Sequence, residues 1–575
     1  MGKKSRRAGA APSPTTKDAV DIPAAPDTSI TISRPRRAWS ILFDVKVRRA
    51  LYLVLLAALY SPLSQLILAP VYGSIPSAVY HKYGLIVSAM LSFVVKDVVP
   101  PFVEKLFAAF VCWIPVIHFV LFQYSSLLGN PTGPLITECL TTYPVIIISI
   151  SLASKELESL DLNFLNDNVA DAAPSMFNYF LFTILQRTFH NVLPTWMGMN
   201  KLFTRIGLQT VVAATFTAVI PRSMLWPAIP AVAFTTVGNP HAPLVKTTEV
   251  LNNTLALHNY SLVERHESLT GYISVLQDNR NKFRVMRCDH SLLGGEWLLP
   301  ADPTGKRKVA EPVYAVFTML EAVRLVEREK STEQEQALNI GLGVGTAPSA
   351  LIAHGINTSI IELDAVVHHF AVKHFSLPRN HTAYIGDAVT LVEKTKADKQ
   401  AYYDYIIHDV FTGGAEPVDL FTFEFLSSLN EMLKLDGVIA INYAGDLAMS
   451  STSLIYRTIL EVFPSCRVFR EDEQIAEDTD AEDINGDFTN MVFICNKGSK
   501  PVTFRKAIEA DFLGSASRKA YMVPKHEVEP STFQREGELL TRANTKVLEK
   551  MHVQSAIGHW KLMRKVITAP VWENW

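Results

Sequence analysis

The sequence lacks three features that would indicate a function at once. Its five cysteines are odd in number, scattered along the chain, and never spaced as CxxC, which argues against a disulfide framework and against a zinc site. The formal net charge is only -2, so electrostatics give no reason to expect a nucleic acid or a highly acidic partner. The basic N-terminal stretch runs too long before any apolar segment to be a cleaved signal peptide.

The composition is strongly asymmetric, with apolar residues concentrated in the first half and charged residues in the second. Residues 1–45 carry KKSRR and RPRR around a Pro- and Ala-rich stretch, which is typical of a disordered basic tail. Residues 46–240 contain apolar segments at 49–73, 104–126, 134–154, 174–195, 206–222 and 224–238. Because a crossing takes about 20 apolar residues, this pattern predicts a membrane region of about six helices in contact with a lipid bilayer. GLIVSAMLSFVV (84–95) is interpreted as too short to span.

The basic segment KVRR (46–49) precedes the first apolar segment and places the N-terminus on the cytosolic side. With six spans the C-terminal half is also cytosolic, whereas an odd number would reverse this orientation. Four N-x-S/T patterns begin at Asn252, Asn259, Asn357 and Asn380. Such short patterns arise often by chance, and we predict no luminal domain from them. The organelle is not indicated.

The second half has the pattern of a soluble α/β protein. GYISVLQD (271–278) and FRVMRCD (283–289) predict a hairpin in a small β-domain over 262–300. Residues 312–327 have helical spacing, and residues 310–500 alternate strands and helices as in a parallel α/β sheet of Rossmann-like type. Residues 501–575 form a C-terminal extension, with a helix predicted to dock on the domain or on the membrane surface. The predicted strands are 337–343, 358–364, 382–388, 403–409 and 436–443.

A glycine turn follows the first of these strands, with Gly341, Gly343 and Gly345 in GxGxG spacing. Glycine is required where the backbone turns sharply and lies close to a ligand. A turn of this kind also occurs for packing reasons alone, so by itself it is a weak indication of a nucleotide site.

Polar residues at three further strand ends make the prediction of a nucleotide site more specific. Glu362 ends the second strand, Gly386 and Asp387 the third, and Asp409 the fourth. Because ligands of open α/β sheets bind outside the carboxyl ends of the strands, these groups should meet at one site. Glu362 is suited to the ribose hydroxyls and Asp387 to the adenine amino group of a nucleotide. No metal site is predicted, since the histidines of HHxxxxH (368–374) lack an accompanying acid at ligand spacing.

The motifs NIGLGVGT, IIELDAV, YIGDAV, YDYIIHDVF and LKLDGVIAIN, in this order, resemble the spermidine/spermine synthase branch of the class I methyltransferase-like fold. The resemblance covers about residues 265–500 and includes the preceding β-domain. It implies decarboxylated S-adenosylmethionine as co-substrate and aminopropyl transfer to an amine acceptor, as in polyamine metabolism. Asp409 would then be the base that takes a proton from the attacking amine. Multi-spanning segments fused to such domains form a recognisable arrangement.

The sequence departs from this family mainly on the acceptor side. Val344 stands where the glycine turn usually has an aspartate, and Thr412 where a second acid is usual. The tyrosine motif that contacts the substrate is reduced to Tyr314, so Tyr314 and Thr412 are weak substrate-binding candidates. Taking a diamine from water without carboxylate partners costs several kcal/mol, which puts a polyamine acceptor in question.

Three functions therefore remain open. The first is aminopropyl transfer to a changed amine acceptor. The second is methyl transfer from ordinary S-adenosylmethionine to a protein, lipid or small molecule, and the third is nucleotide binding without catalysis. The fold alone does not decide among them. A homo-oligomer is compatible with each.

Overall fold

The computed structural model describes residues 44–159, 167–220, 223–328, 334–410, 413–415, 417–447, 449–471 and 488–575. The predicted basic tail, the acidic stretch after residue 471 and Thr412 lie outside these residues, apart from their few bordering positions.

The first half is a bundle of helices. They are α1 (Val45–Tyr72), α2 (Ser74–Ala78), α3 (His81–Val95), α4 (Pro101–Phe122), α5 (Ser125–Leu128), α6 (Thr132–Leu140), α7 (Thr142–Glu158), α8 (Asp167–Trp196), α9 (Arg205–Val219), α10 (Ile229–Val237) and α11 (Val245–Ala256). The Asp44 carboxylate accepts a hydrogen bond from the Lys46 amide at 2.8 Å and caps α1. Helix α1 is apolar around most of its circumference and forms the centre of the bundle, where it packs against α7, α8 and α9.

Four segments among the described residues are long and apolar enough to cross a membrane, judged by length and composition: Val45–Tyr72, Ser74–Val95, Pro101–Phe122 and Thr132–Glu158. The segment at 84–95, predicted as too short, is extended by the preceding helix α2. Arg205–Val219 and Trp226–Val237 are shorter apolar helices.

The β-domain has four strands rather than one hairpin: β1 (Tyr260–Glu267), β2 (Tyr272–Asp278), β3 (Phe283–Cys288) and β4 (Ser291–Trp297). They form an antiparallel meander in the order β1-β2-β3-β4. The predicted helix at 312–327 is a 3-10 helix, Ala315–Leu325.

The α/β domain contains β5 (Gln336–Ile340), α12 (Thr346–Ala353), β6 (Asn357–Glu362), α13 (Ala365–His374), β7 (Thr382–Ile385), α14 (Ala388–Thr395), β8 (Tyr403–His408), α15 (Phe423–Met432), β9 (Leu433–Asp446), α16 (Ser450–Val462), β10 (Ser465–Arg470), β11 (Phe488–Asn496), α17 (Ala516–Tyr521), β12 (His526–Glu527), α18 (Lys546–Val566) and α19 (Ala569–Glu573). Its sheet has the order β12-β10-β11-β9-β8-β5-β6-β7. Strands β5 to β9 are parallel and β10 to β12 antiparallel, which is the mixed sheet of a Rossmann-like methyltransferase-type domain.

Both faces of this sheet are buried. Alternate residues of a strand point to opposite faces, so Leu338 and Ile406 enter one core while Ala337 and Ile407 enter the other. The strand order reverses between β5 and β8. At such a switch point the loops diverge and leave a crevice at the carboxyl ends of the strands.

A buried junction fixes the helical bundle to the β-domain. The Arg205 guanidinium at the start of α9 is fully buried and pairs with Glu267 and, at 2.9 Å, with Asp289. The Arg287 guanidinium donates to the Pro70 carbonyl at 2.6 Å and to the Val571 carbonyl at 2.9 Å. The end of α1, strand β3 and the C-terminal segment therefore meet at one point.

One disulfide, Cys466–Cys495, joins the neighbouring strands β10 and β11. The sequence argued against a disulfide framework and did not predict this single bond. Regular cysteine spacing reveals frameworks in small domains, whereas this bond depends on strand register and leaves no sequence pattern. Cys112, Cys139 and Cys288 are free.

Candidate functional site

A cavity of about 520 Å³ lies at the switch point, at the carboxyl ends of β5, β6, β7 and β8. Its volume is within the range of about 300–1,000 Å³ that is usual for small-molecule sites. The cavity wall includes six of the predicted site residues: Gly341, Gly343, Glu362, Gly386, Asp387 and Asp409. The polar strand ends are therefore brought together as predicted.

Close packing requires glycine in the turn after β5. A Cβ atom on Gly341 would lie 2.0 Å from the Asp409 carbonyl oxygen, and one on Gly343 would lie 2.3 Å from the Leu293 carbonyl oxygen. Both residues have positive φ, 80° and 55°. Gly345, with φ 84°, is the left-handed N-cap of α12 and lies behind the wall. The turn thus lies against β8 on one side and against the β-domain on the other.

Val344, which replaces the usual aspartate of the turn, is buried with the apolar residues of the β-domain and α13. Its side chain also lines the cavity. The substitution therefore makes one wall of the cavity apolar, where the resemblance implied an acid.

Glu362 ends β6 and is buried, with 8% of its surface exposed. Its Oε1 accepts a hydrogen bond from the Asp364 amide at 2.9 Å. Burial raises the pKa of Glu362 to about 7 because the charged form loses its hydration. A buried carboxylate on a cavity wall is well suited to accept hydrogen bonds from vicinal hydroxyls.

Asp364 was not predicted as part of this region. Its carboxylate caps α13 through the Val366 amide at 2.8 Å and accepts hydrogen bonds from the Ser268 and Thr270 hydroxyls, each at 2.6 Å. It thereby ties the loop after β6 to the β-domain. The sequence signal was present, since an aspartate directly before an apolar helix is a typical N-cap.

Asp387 is exposed and caps α14, where its Oδ2 accepts hydrogen bonds from the Thr390 amide at 2.8 Å and the Thr390 hydroxyl at 2.6 Å. The cap fixes the orientation of the carboxylate. Gly386 precedes it and also lines the cavity.

Asp409 follows β8 and contacts a residue that sequence reasoning missed. The Asn442 amide on the adjacent strand β9 donates to the Asp409 Oδ1 at 2.8 Å. Burial raises the pKa of Asp409 to about 6, and the Asn442 hydrogen bond opposes that rise. Asn442 is a single polar residue in the apolar run VIAIN, and this isolation was the signal that could have identified it.

Of the two predicted substrate-binding residues, Tyr314 and Thr412, the structure describes only Tyr314. The Tyr314 hydroxyl is buried without a hydrogen-bond partner among the described residues. Tyr314 does not line the cavity, but its ring packs edge-on against Phe317, which does. Thr412 lies outside the described residues. Asp419, not singled out from the sequence, is exposed and lies on the cavity wall.

The C-terminal helix α18 supports the loop that follows Asp409. The Ser555 hydroxyl donates to the Gly414 carbonyl at 2.7 Å. Gly414 is packed so tightly that a Cβ would lie 2.5 Å from the Cβ of His559. One residue further on, the Trp560 indole donates to the Val71 carbonyl at the end of α1, at 2.9 Å. Helix α18 therefore contacts both the loop at Gly414 and the helical bundle.

Among the described residues, no cluster of three or more His, Cys, Asp or Glu side chains could hold a metal ion. The cavity wall combines carboxylates, glycine backbone, a few hydroxyls and one amide with a larger number of apolar side chains. It fits an uncharged nucleoside with a cationic reacting centre.

Comparisons with known proteins agree with this architecture. The model of the spermine/spermidine synthase domain matches residues 319–469. A polyamine aminopropyltransferase of Vibrio vulnificus is 29% identical over 193 residues, which are 33% of this chain and 58% of that protein. An N-terminal histidine N-methyltransferase of Emericella nidulans is 44% identical over 544 residues, which are 91% of this chain and 96% of that protein.

Two solved structures each match part of the chain. A probable spermidine synthase from Corynebacterium glutamicum has 17% identity and a TM-score of 0.33, and covers 48% of this chain and 95% of its own. Human methyltransferase-like protein 13, in complex with SAH, has 18% identity and a TM-score of 0.25, and covers 38% and 93%.

The prediction of aminopropyl transfer is contradicted by the Emericella protein, which matches the chain almost from end to end and transfers a methyl group. The resemblance to spermidine synthases correctly indicated the domain type. It did not indicate the transferred group, because a fold of this type supports both reactions and does not decide between them.

Proposed function

The chain belongs to the family of the N-terminal histidine N-methyltransferase of Emericella nidulans, and from this premise we propose that it methylates a nitrogen of an N-terminal histidine in a protein acceptor. It is a transferase that uses S-adenosylmethionine as co-substrate. The observation that carries the proposal is the Asp409–Asn442 pair, a carboxylate with a raised pKa on the wall of the nucleotide cavity.

The nucleoside half of S-adenosylmethionine is assigned to the predicted residues. Glu362 would accept hydrogen bonds from the ribose hydroxyls, and Asp387 from the adenine amino group. The glycine turn, in which added Cβ atoms would meet the Asp409 and Leu293 carbonyl oxygens, leaves only backbone beside the ligand. When bound, the co-substrate supplies a methyl group activated by a sulfonium.

Methyl transfer to nitrogen requires an acceptor lone pair and a base. For an imidazole acceptor, the unprotonated ring nitrogen forms the nitrogen–carbon bond as the carbon–sulfur bond breaks, and the methylated ring is then a cation with one excess proton on its other nitrogen. Asp409 takes this proton and releases it to water. Asn442 holds the carboxylate in one orientation and favours its ionised form, because its hydrogen bond is stronger to a charged acceptor.

The acceptor end of the cavity suits the singly charged N-terminus of a peptide better than a polyamine, which carries several charges. An α-amino group is largely protonated at neutral pH, since its pKa is about 7.7–8.0. The exposed Asp419 carboxylate on the cavity wall is available to pair with this single charge. The acids that would hold a second charge are replaced by Val344 and Thr412.

We further propose that the apolar helices of the predicted membrane region, residues 46–240, lie in a lipid bilayer. Helix α3 exposes Tyr83, Ile86, Val87, Met90 and Val94 in the described structure. An apolar strip of this kind is unfavourable in water and suits a lipid environment. Together with the four long apolar segments, it supports the predicted membrane region.

The test uses the purified full-length chain with S-adenosylmethionine and two synthetic peptides. One peptide begins with histidine, and the other has the same sequence with an acetylated N-terminus. Mass spectrometry should find one added methyl group on the terminal histidine of the first peptide and none on the second. Equal methylation of both peptides, or transfer only from the decarboxylated co-substrate, would refute the proposal.

A further inference from the structure

The helical bundle has two ends with different partners. At one end, Arg49 near the start of α1 pairs with Glu104 at 2.7 Å and with Glu156. At the other end, the carbonyls of Pro70 and Val71 accept hydrogen bonds from Arg287 of the β-domain and from Trp560 of α18. The start of α1 therefore lies at the end of the bundle remote from the catalytic domain, and the end of α1 contacts that domain.

The distance between the two ends of α1 is large enough to cross a bilayer. At 1.5 Å per residue, the 28 residues of α1 extend about 42 Å, while the hydrocarbon core of a membrane is about 30 Å thick. If the bundle lies in a membrane, the N-terminal tail and the catalytic domain are on opposite sides. This contrasts with the orientation expected from six spans.

Other chain segments agree with this geometry. Helix α4 begins at the Arg49 end, and the Ser125 hydroxyl just after it donates to Glu573 of the C-terminal segment at 2.8 Å. Helix α9 runs back, because Arg205 at its start lies in the junction with the β-domain and the Met224 amide beyond its end bonds to the Lys105 carbonyl at 2.7 Å. The chain then returns to His241, whose ring bonds to the Glu573 carbonyl at 2.9 Å.

Charge identifies the cytosolic end. Short basic segments flanking membrane helices stay on the cytosolic side. The tail before α1 carries KKSRR and RPRR, and the first turns of α1 carry Lys46, Arg48 and Arg49. The Arg49 end of the bundle is therefore cytosolic, and the catalytic domain faces the other side.

The disulfide is an independent observation that points to the same side. Cys466 and Cys495 pair across β10 and β11 within the catalytic domain. Disulfides persist in oxidising compartments and are rare in the reducing cytosol. From the bundle polarity and this bond we infer that the catalytic domain lies in an oxidising, non-cytosolic compartment, where Asn259 and Asn380 are N-glycosylation sites.

The structural surroundings of Asn259 and Asn380 differ from those of the other two N-x-S/T asparagines, Asn252 and Asn357. Asn259 is exposed in the turn between α11 and β1, and Asn380 is exposed in the loop between α13 and β7. By contrast, the Asn252 side-chain oxygen accepts a hydrogen bond from the Leu262 amide at 2.8 Å, and Asn357 begins the paired strand β6. Acceptors for N-glycans lie in surface loops.

The first test is protease treatment of sealed microsomes from eukaryotic cells that express the full-length chain with an N-terminal epitope. The protease should remove the epitope, and the catalytic domain, detected by its own antibody, should resist until detergent is added. Digestion of the catalytic domain in sealed vesicles would overturn the inference.

The second test removes N-glycans enzymatically and compares gel mobilities. The mobility of the full-length chain should increase on deglycosylation, by one step fewer in Asn259→Gln or Asn380→Gln and not at all in the double variant. Asn252→Gln is the matched control and should keep both steps. An unglycosylated wild-type chain, or a double variant that still shifts, would overturn the assignment of the two sites.

The third test counts thiols in the denatured chain with a mass-tagged maleimide. Three adducts are expected before reduction and five after it, from the three free cysteines and the paired Cys466 and Cys495. Five adducts without reductant would contradict an oxidising compartment. None of these readouts depends on transferase activity, so they stand or fall separately from the proposed reaction.

Discussion

The Asn442 amide nitrogen and the Asp409 Oδ1 lie 2.8 Å apart, on neighbouring strands at the wall of the cavity. This hydrogen bond favours the ionised carboxylate, while burial favours the neutral acid and raises the pKa of Asp409 to about 6. With this pKa, the Asp409 carboxylate is ionised at neutral pH and still basic enough to accept a proton.

Asp409→Asn should lower kcat by about 100-fold or more, because general bases contribute about 10²- to 10⁴-fold. The amide is nearly isosteric but cannot accept the proton. Methylation of a histidine-initiated peptide measures kcat, and calorimetry should show S-adenosylmethionine binding within a few-fold of wild type. An unchanged kcat would rule out Asp409 as the base.

Asn442→Ala should move the acid limb of the pH–rate profile to higher pH. Removal of the hydrogen bond takes away the interaction that lowers the pKa of Asp409, so the carboxylate ionises later. In the wild type, kcat/KM should rise with pH through about 6. The acceptor imidazole titrates near 6.5 as well, so the shift between the two enzymes, rather than either midpoint, is the decisive measurement. A limb at the same pH in both would contradict the role of Asn442.

Glu362→Gln should weaken S-adenosylmethionine binding by about 10- to 100-fold, since hydrogen bonds to charged groups contribute about 1.5–3 kcal/mol. The free protein holds this carboxyl with its pKa raised to about 7, and ribose hydroxyls donate best to the ionised form. The affinity of the wild type should therefore increase as pH rises through 7 and then level off. Calorimetry across this range should show that dependence in the wild type and a flat profile in the variant.

Gly343→Ala should abolish co-substrate binding, because the new methyl group would lie 2.3 Å from the Leu293 carbonyl oxygen. Gly355→Ala is a matched control with a similarly positive φ of 82° and no heavy atom within 4 Å of the added Cβ. The control should lose only about 1–2 kcal/mol of stability from backbone strain and should still bind. Equal affinities of the two variants would show that the close approach of β4 is unimportant.

Arg205→Met should destabilise the junction by about 3–5 kcal/mol, since it leaves the Glu267 and Asp289 carboxylates without their buried partner. Lys519→Met removes one partner of the exposed Lys519–Glu509 pair, which should contribute at most about 1 kcal/mol. Thermal unfolding in detergent should therefore show a clearly lower midpoint for the first variant and almost no change for the second.

The meeting of the polar strand ends at one cavity could be predicted from the sequence because each of these groups has a local signal. Glu362, Asp387 and Asp409 stand at the ends of recognisable strands, and the strand rhythm places those ends together. The predicted strand at 436–443 is longer in the structure, Leu433–Asp446, because pairing with β11 continues to Asp446 and pairing with β8 begins at Leu433.

The rest depends on contacts between residues far apart in the sequence. Asn442 on β9 reaches Asp409 at the end of the adjacent strand β8, and Cys466 meets Cys495 through strand register. The 3-10 helix at Ala315–Leu325 replaces a predicted α-helix, and its buried residues pack against the sheet in a separate core. No periodicity in one segment encodes such pairings.

Helix α18 has a mechanical consequence. Ser555 holds the Gly414 carbonyl and Trp560 holds the Val71 carbonyl, and five residues of helix separate the two contacts by only about 7.5 Å. A helical segment this short does not stretch, so the spacing between the two contacts is fixed. If the helical bundle lies in a bilayer, as proposed, a change in the tilt of α1 with bilayer thickness would strain both hydrogen bonds and act on Gly414 through Ser555. On that proposal, the rate of the transfer reaction is expected to depend on membrane thickness.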